Sequence, residues 1–215
     1  TYDSITKVGS SDLYDLASVT KVLAGTLAFM KLYELYDIDL DGKVSAYIPS
    51  LRRSNKKQTS FKEVLSHSAG WLPYIAHQNF VRKKNGGFKK RTLQSQKSKR
   101  FPTQISDSLF LFGKYQKKIM RRIRKTKMST LGTYKYSGLW FFLIPELTER
   151  LSGLSFESFL KKHFYDPLKL EQLTFLPSKR FPKQQIVPTE YDGDFRKQLV
   201  QGWVHDEAAA LMGGI

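Results

Sequence analysis

Ser18 and Lys21 stand three residues apart at the mouth of a long apolar segment. Residues at that spacing share one face of a helix, so the amine can reach the hydroxyl. A serine hydroxyl becomes a useful nucleophile only when a neighbour takes its proton. A lysine of lowered pKa can do so, and a helix N-terminus favours that lowering. The competing reading makes Ser18 a helix N-cap. Lys21 argues against it, because a capping box places Glu or Gln there and a cation in the first turn faces the positive end of the helix dipole. Alone, a serine and lysine at this spacing occur by chance in many proteins.

The positioning element is a helix predicted from Val19 to Tyr36. Val19, Val22, Leu23, Leu27, Met30 and Tyr33 recur at helical spacing, with Phe29 and Leu32 widening a stripe expected to be largely buried. Thr1 to Asp12 reads as the end of a strand or loop entering it. Ser60 and Glu63 form a capping box for a short helix over Phe61–Ser66, with Gly70 as its C-terminal cap. Phe101–Phe112 has the apolar content to pack. Lys114–Arg124 reads as a basic amphipathic helix with Tyr115, Ile119, Met120 and Ile123 on its apolar side. The Tyr134–Trp140 stretch opens a helix running to Gly153 and kinked at Pro145. Ser155 caps another, over Phe156–Phe164. A turn and short strand are expected over Leu168–Leu176 and a loop over Pro188–Asp192, while the His205-Asp206 dipeptide is expected to form an ion pair with Arg196 or to shape the rim of the cleft.

The 215 residues suffice for one or two domains with a sizeable core. No apolar run approaches the ~18 residues of a membrane span. There is no cysteine, which excludes disulfides and thiolate metal sites. His67, His77, His163 and His205 lack tight ligand spacing. Each reads as structural, and no cofactor or metal is expected. The net charge of +17 is concentrated: between Arg82 and Lys127 lie 17 lysines and arginines against one acid, Asp107. Such a block is usually a solvated face, but it also suits an anionic surface. No nucleic-acid motif accompanies it, so no nucleic-acid partner is expected.

Together the pieces resemble the serine β-lactamase-like, penicillin-recognising family, in its class C β-lactamase and esterase branch. The resemblance rests on Tyr14–Lys21 (YDLASVTK), Val64–Gly70 (VLSHSAG), Tyr134–Ser137 (YKYS), Phe164–Leu170 (FYDPLKL), Pro188–Glu190 (PTE) and Val204–Asp206 (VHD), in that order. The chain also looks like the serine-hydrolase module joined to family-3 glycoside hydrolases in some Bacteroidetes proteins, so a fused glycoside hydrolase domain is a possible partner. The resemblance implies a mixed α/β (α+β) fold, an antiparallel sheet flanked by helices plus a helical domain. Residues 1–215 would be a partial β-lactamase-like serine hydrolase domain, dominated by the helical part, with a basic insertion-like region at 82–127. It implies Ser18 as acylated nucleophile, Lys21 as its proton partner and Tyr136 as the group passing the proton to the leaving group. The Ser18 N–H would be one oxyanion donor. The substrate would be a β-lactam, a D-Ala-D-Ala cell-wall peptide or an ester, and the location periplasmic or cell-envelope associated.

Three departures bear on activity. Gly138 stands where the family's Y-x-N element has Asn. The third family motif, a K-T-G or H-x-G strand, is absent, and so are the opening strands of the sheet; the chain reads as a piece of a longer protein. The alternatives to a serine hydrolase are a catalytically impaired cell-wall-binding module of the same fold, and a module holding an anionic surface through residues 82–127.

Overall fold

The structure, a computed structural model, describes residues 7–211. The expected entry into the first helix over Thr1–Asp12 lies partly outside them, and Met212 to Ile215 wholly so. The chain forms two compact units, one from Thr1–Ala17, Ala76–Lys118 and Gln172–Ile215, the other from Ser18–Ile75 and Ile119–Glu171.

The second unit is helical. A π-helical segment, Lys21–Thr26, runs directly into α1, Leu27–Tyr36, which ends at Asp37 in the left-handed conformation. Then come α2, Val44–Tyr47, and α3, Phe61–Leu65. The capping box of α3 forms as expected: Ser60 Oγ accepts from Glu63 N–H, and Glu63 accepts from Ser60 N–H at 2.7 Å. Gly70 does not cap this helix. The left-handed residue just past its end is His67, at φ +56°.

The first helix keeps the expected period and changes phase. Val19, Val22, Met30 and Tyr33 are about half exposed, while Ala24, Gly25, Ala28, Phe29 and Leu32 are buried. Small residues at 24, 25 and 28 let α1 approach its neighbours closely. A methyl group on Gly25 would lie 2.6 Å from the Phe141 ring, so this residue is small because Phe141 occupies the space. Around Phe29 the rings of Phe61 and Trp140 meet at centroid distances of 5.2 to 5.9 Å, and burying each such ring contributes roughly 2–3 kcal/mol.

Pro145 starts a helix rather than bending one. A 3₁₀ stretch, Leu139–Leu143, gives way to α5, Ile144–Ser152, with the proline in its first turn and Gly153 at its end in the left-handed region. A proline there forgoes only an N–H that has no helical acceptor. Ser155 caps α6, Phe156–Leu160, as expected, and the helix continues as a π-segment to Tyr165. No strand forms over Leu168–Leu176.

The first unit holds the sheets. Strands β1 (Leu93–Gln94), β2 (Thr103–Ser106) and β3 (Leu109–Leu111) pair antiparallel in the order β1-β3-β2. Helix α4, Tyr115–Lys125, follows in the chain, its residues to Lys118 belonging to this unit and those from Ile119 to the helical one, with Tyr115, Ile119 and Ile123 buried at i, i+4 and i+8. Glu190 to Asp192, expected as loop, forms β4 and pairs with β5, Gln198–Val200. The Asp192 carboxylate closes the intervening turn by accepting the N–H groups of Asp194, Phe195 and Arg196. Burial pushes this carboxyl up, but the hydrogen bonds from the Arg196 side chain and from the Phe195 and Arg196 N–H groups outweigh that and hold it below its usual pKa. Arg196 therefore pairs with Asp192 and Glu190, and donates to the carbonyls of Val204 and His205, instead of pairing with the His205 or Asp206 side chain. His205 Nδ1 meets Glu190 at 2.8 Å. Helix α7, Glu207–Leu211, is the last described element.

Lys56 is fully buried in the helical unit. Its ammonium donates to the Thr126 carbonyl at 2.7 Å and to Asn55 Oδ1 at 3.0 Å, and lies 5.7 Å from the Trp71 ring centroid. Burial lowers its pKa from 10.5 to about 8. The unfolded chain therefore holds this proton between pH 8 and 10.5 while the folded chain has released it, so stability rises with pH in that window. Compared with Lys56→Met, the wild type is expected to gain on the order of 2–3 kcal/mol across it. Urea unfolding of both proteins at several alkaline pH values checks this; parallel curves would refute it.

Candidate active site

The Ser18–Lys21 pair forms as the spacing predicts. Lys21 Nζ donates to Ser18 Oγ at 3.1 Å, and Lys21 N–H donates to the Ser18 carbonyl at 3.0 Å. The N-cap of the helical segment is Thr20, not Ser18, and Ser18 is exposed. Ala17, just before it, sits at φ +44°, so the chain turns sharply as it presents the serine. Strained backbone of this kind recurs at functional positions.

Two residues shape the space behind the amine. The Phe141 ring centroid lies 5.9 Å from Lys21 Nζ. At Gly138 a methyl group would sit 3.4 Å from Lys21 Cε and 4.0 Å from Nζ. A longer polar side chain at 138 would thus reach the amine; glycine gives it none.

Tyr136 reaches this neighbourhood through non-local hydrogen bonds that fasten residues 129–138 along residues 67–73. Ser129 N–H donates to the Gly70 carbonyl at 2.7 Å, Gly132 N–H to Ser68, Lys135 N–H to His67 at 2.8 Å, and Gly138 N–H to Pro73 at 3.0 Å. Ser137 contributes twice: its hydroxyl donates to the Leu72 carbonyl at 2.7 Å, and its N–H donates to His67 Nδ1 at 3.2 Å. The Tyr136 ring then lies against the His67 imidazole, centroids 4.7 Å apart, and is partly exposed. Among the described residues its hydroxyl bonds to neither Ser18 nor Lys21. The structure therefore brings Ser18 and Lys21 into contact and sets Tyr136 in the same unit, connected to them through His67 and Gly138.

His67 is the residue that reading the sequence undervalued. Among the described residues its ring bonds no backbone carbonyl. Its Nδ1 accepts a hydrogen bond, which requires that nitrogen to be unprotonated. Burial, and after it the nearby Lys21 ammonium, hold its pKa below the ordinary histidine value, in keeping with that bond. Its position in the VLSHSAG segment was the available signal. Among the described residues no group of three His, Asp or Glu side chains could hold a metal ion.

Known structures share this architecture. A penicillin-binding protein homologue from Pyrococcus abyssi superposes with a TM-score of 0.61 over 92% of this chain and 41% of its own, at 20% identity. A D-stereospecific amidohydrolase from Streptomyces sp. gives 0.55 over 76% of this chain and 44% of its own, at 23% identity. The fold is that of the β-lactamase/transpeptidase class, a mixed α/β protein. The family model described as Beta-lactamase matches residues 3–212, and the chain belongs to that family. A putative D-alanyl-D-alanine carboxypeptidase from Escherichia coli K12 is 26% identical over 97% of this chain. The chain spans about half the length of that relative, 47%.

Proposed function

We propose that the protein is a serine hydrolase working through an acyl-serine intermediate, with Ser18 as nucleophile, Lys21 as its proton partner and Tyr136 as the group serving the leaving group. The observation that carries this reading is the 3.1 Å contact between Lys21 Nζ and Ser18 Oγ at the start of the first helix. Family membership and the carboxypeptidase and amidohydrolase relatives support hydrolysis of this type.

In this reading Lys21 acts as the free amine, and Ser18 Oγ attacks the substrate carbonyl as that amine accepts its proton. The carbonyl oxygen becomes an oxyanion beside the Ser18 N–H. Collapse of the tetrahedral state breaks the bond to the amine or alcohol, which leaves with a proton relayed through Tyr136. Water then adds to the acyl-serine and frees the acid and the serine. The names of the relatives favour a D-alanyl-D-alanine peptide over other substrates, and with it a place at the cell envelope. Among the described residues no helix is long and apolar enough to cross a membrane.

Reaction with a fluorescent penicillin and, separately, a fluorophosphonate, followed by tryptic mapping, tests the assignment. Label is expected on the peptide Val8–Lys21, localised by fragmentation to Ser18. No adduct, or an adduct on another serine, sinks it.

A second reading, binding without turnover, is favoured by Gly138, which leaves Lys21 without a side-chain partner from that position. It predicts stoichiometric acylation or ligand binding with no release of product.

A further inference from the structure

We infer that the outer face of α4 is a docking surface for an anionic lipid bilayer, engaged through charge alone. The helix carries no acidic residue. Its apolar stripe is consumed inside the protein, Tyr115, Ile119 and Ile123 being buried. What faces outward is a cationic strip: Lys117, Lys118, Arg121 and Lys125 are exposed, with Lys114 just before the first turn. Among the described residues none of these five forms an ion pair.

Their chemistry selects the kind of anion. Across the basic segment the arginines with resolved contacts turn inward or pack: Arg82 bonds Asp194, Arg124 donates to the Ser50 carbonyl, and Arg100 lies over the Phe101 and Phe112 rings. The outward strip is mostly lysine, of which Lys118, though exposed, also lies over the Phe112 and Tyr115 rings. Lysine is a compact point charge without the planar fork that reads a phosphate or a base edge bidentately. A strip of lysines responds to a diffuse negative field, as a plane of lipid headgroups presents. No aromatic side chain projects from the strip to stack on bases, as binding to single-stranded nucleic acid would use. With Tyr115, Ile119 and Ile123 buried and Met120 half-buried, the helix offers no apolar face to insert among acyl chains, so attachment is peripheral and sensitive to salt.

Co-sedimentation with vesicles tests this. The protein is expected to pellet with phosphatidylcholine vesicles containing phosphatidylglycerol, and not with phosphatidylcholine alone. Raising salt from ~0.05 M to ~0.5 M should release it. Replacing Lys117, Lys118, Arg121 and Lys125 together by glutamine should weaken binding about 100-fold, from about fivefold per charge with some losses shared. A control replacing four exposed lysines elsewhere, Lys57, Lys161, Lys162 and Lys169, removes the same charge and should leave most of the binding intact. Circular dichroism on both variants establishes that they fold. Equal losses in the two variants, equal pelleting with neutral vesicles, or tighter binding to duplex DNA than to anionic vesicles at one salt concentration would each overturn the inference.

Discussion

Ser18→Ala is expected to abolish covalent labelling and any turnover, while Lys21→Ala keeps the nucleophile and slows its acylation about 10³-fold. The two differ because they remove different things. Without Oγ there is no atom to acylate. Without the amine at 3.1 Å, the serine must lose its proton to solvent, and a positioned proton acceptor contributes ~10²–10⁴ in rate. The residual rate of Lys21→Ala should climb with pH, because hydroxide then does the work of the amine. The measurement is the rate of acylation by a fluorescent penicillin across pH, with unfolding curves showing that both variants are folded. Lys21 sits in the first helical turn and its neighbours, Phe141 and Gly138, survive the change. Wild-type acylation rates in Lys21→Ala would remove the lysine from the mechanism; label retained by Ser18→Ala would remove the serine.

The largest effect on stability is expected at Gly70. Its φ of +68° is a conformation that side chains disfavour, and a methyl group there would lie 2.5 Å from the Ser129 carbonyl oxygen. That atom is backbone, so no rotamer change relieves the clash. Gly70 also anchors the fastening that holds Tyr136, its carbonyl accepting from both Ser129 N–H and Ser129 Oγ. Strain at the dihedral costs roughly 1–3 kcal/mol, and forcing the two backbones apart adds to it, for a total of about 3–5 kcal/mol. Gly70→Ala should therefore unfold at markedly lower urea concentration. Gly132→Ala is a useful comparison: at φ +79° it has nothing within 4 Å of the added carbon, so only dihedral strain applies and the loss should be smaller. Similar losses in the two variants would show that the contact with Ser129 does not matter.

How far the sequence reaches follows from what is local. The Ser18–Lys21 contact was legible because residues three apart on a helix are adjacent whatever the helix packs against. The capping box of Ser60 and Glu63, and the stripe of Tyr115, Ile119 and Ile123, were legible for the same reason. The phase of the first helix was not. Of the expected stripe Phe29 and Leu32 are buried, but close approach selects small residues, and Ala24, Gly25 and Ala28 complete the buried face in place of Val19, Val22, Met30 and Tyr33. Only a partner such as Phe141, more than a hundred residues later, makes Gly25 the right residue there. The hairpin of β4 and β5 was missed because its turn is closed by a side chain, Asp192, and not by a glycine-rich loop.

The site divides along the same line. The sequence by itself determined that Ser18 and Lys21 meet on one helical face and, through the order of its motifs, pointed to the family. The tertiary structure decided what surrounds them: that His67 is a left-handed, neutral hydrogen-bond acceptor for Ser137, that Tyr136 lies against it, and that Gly138 backs the lysine without a side chain. Those relations join residues from about seventy to more than a hundred positions apart. Their hydrogen bonds form only once burial has brought the two segments together, and no local spacing encodes that.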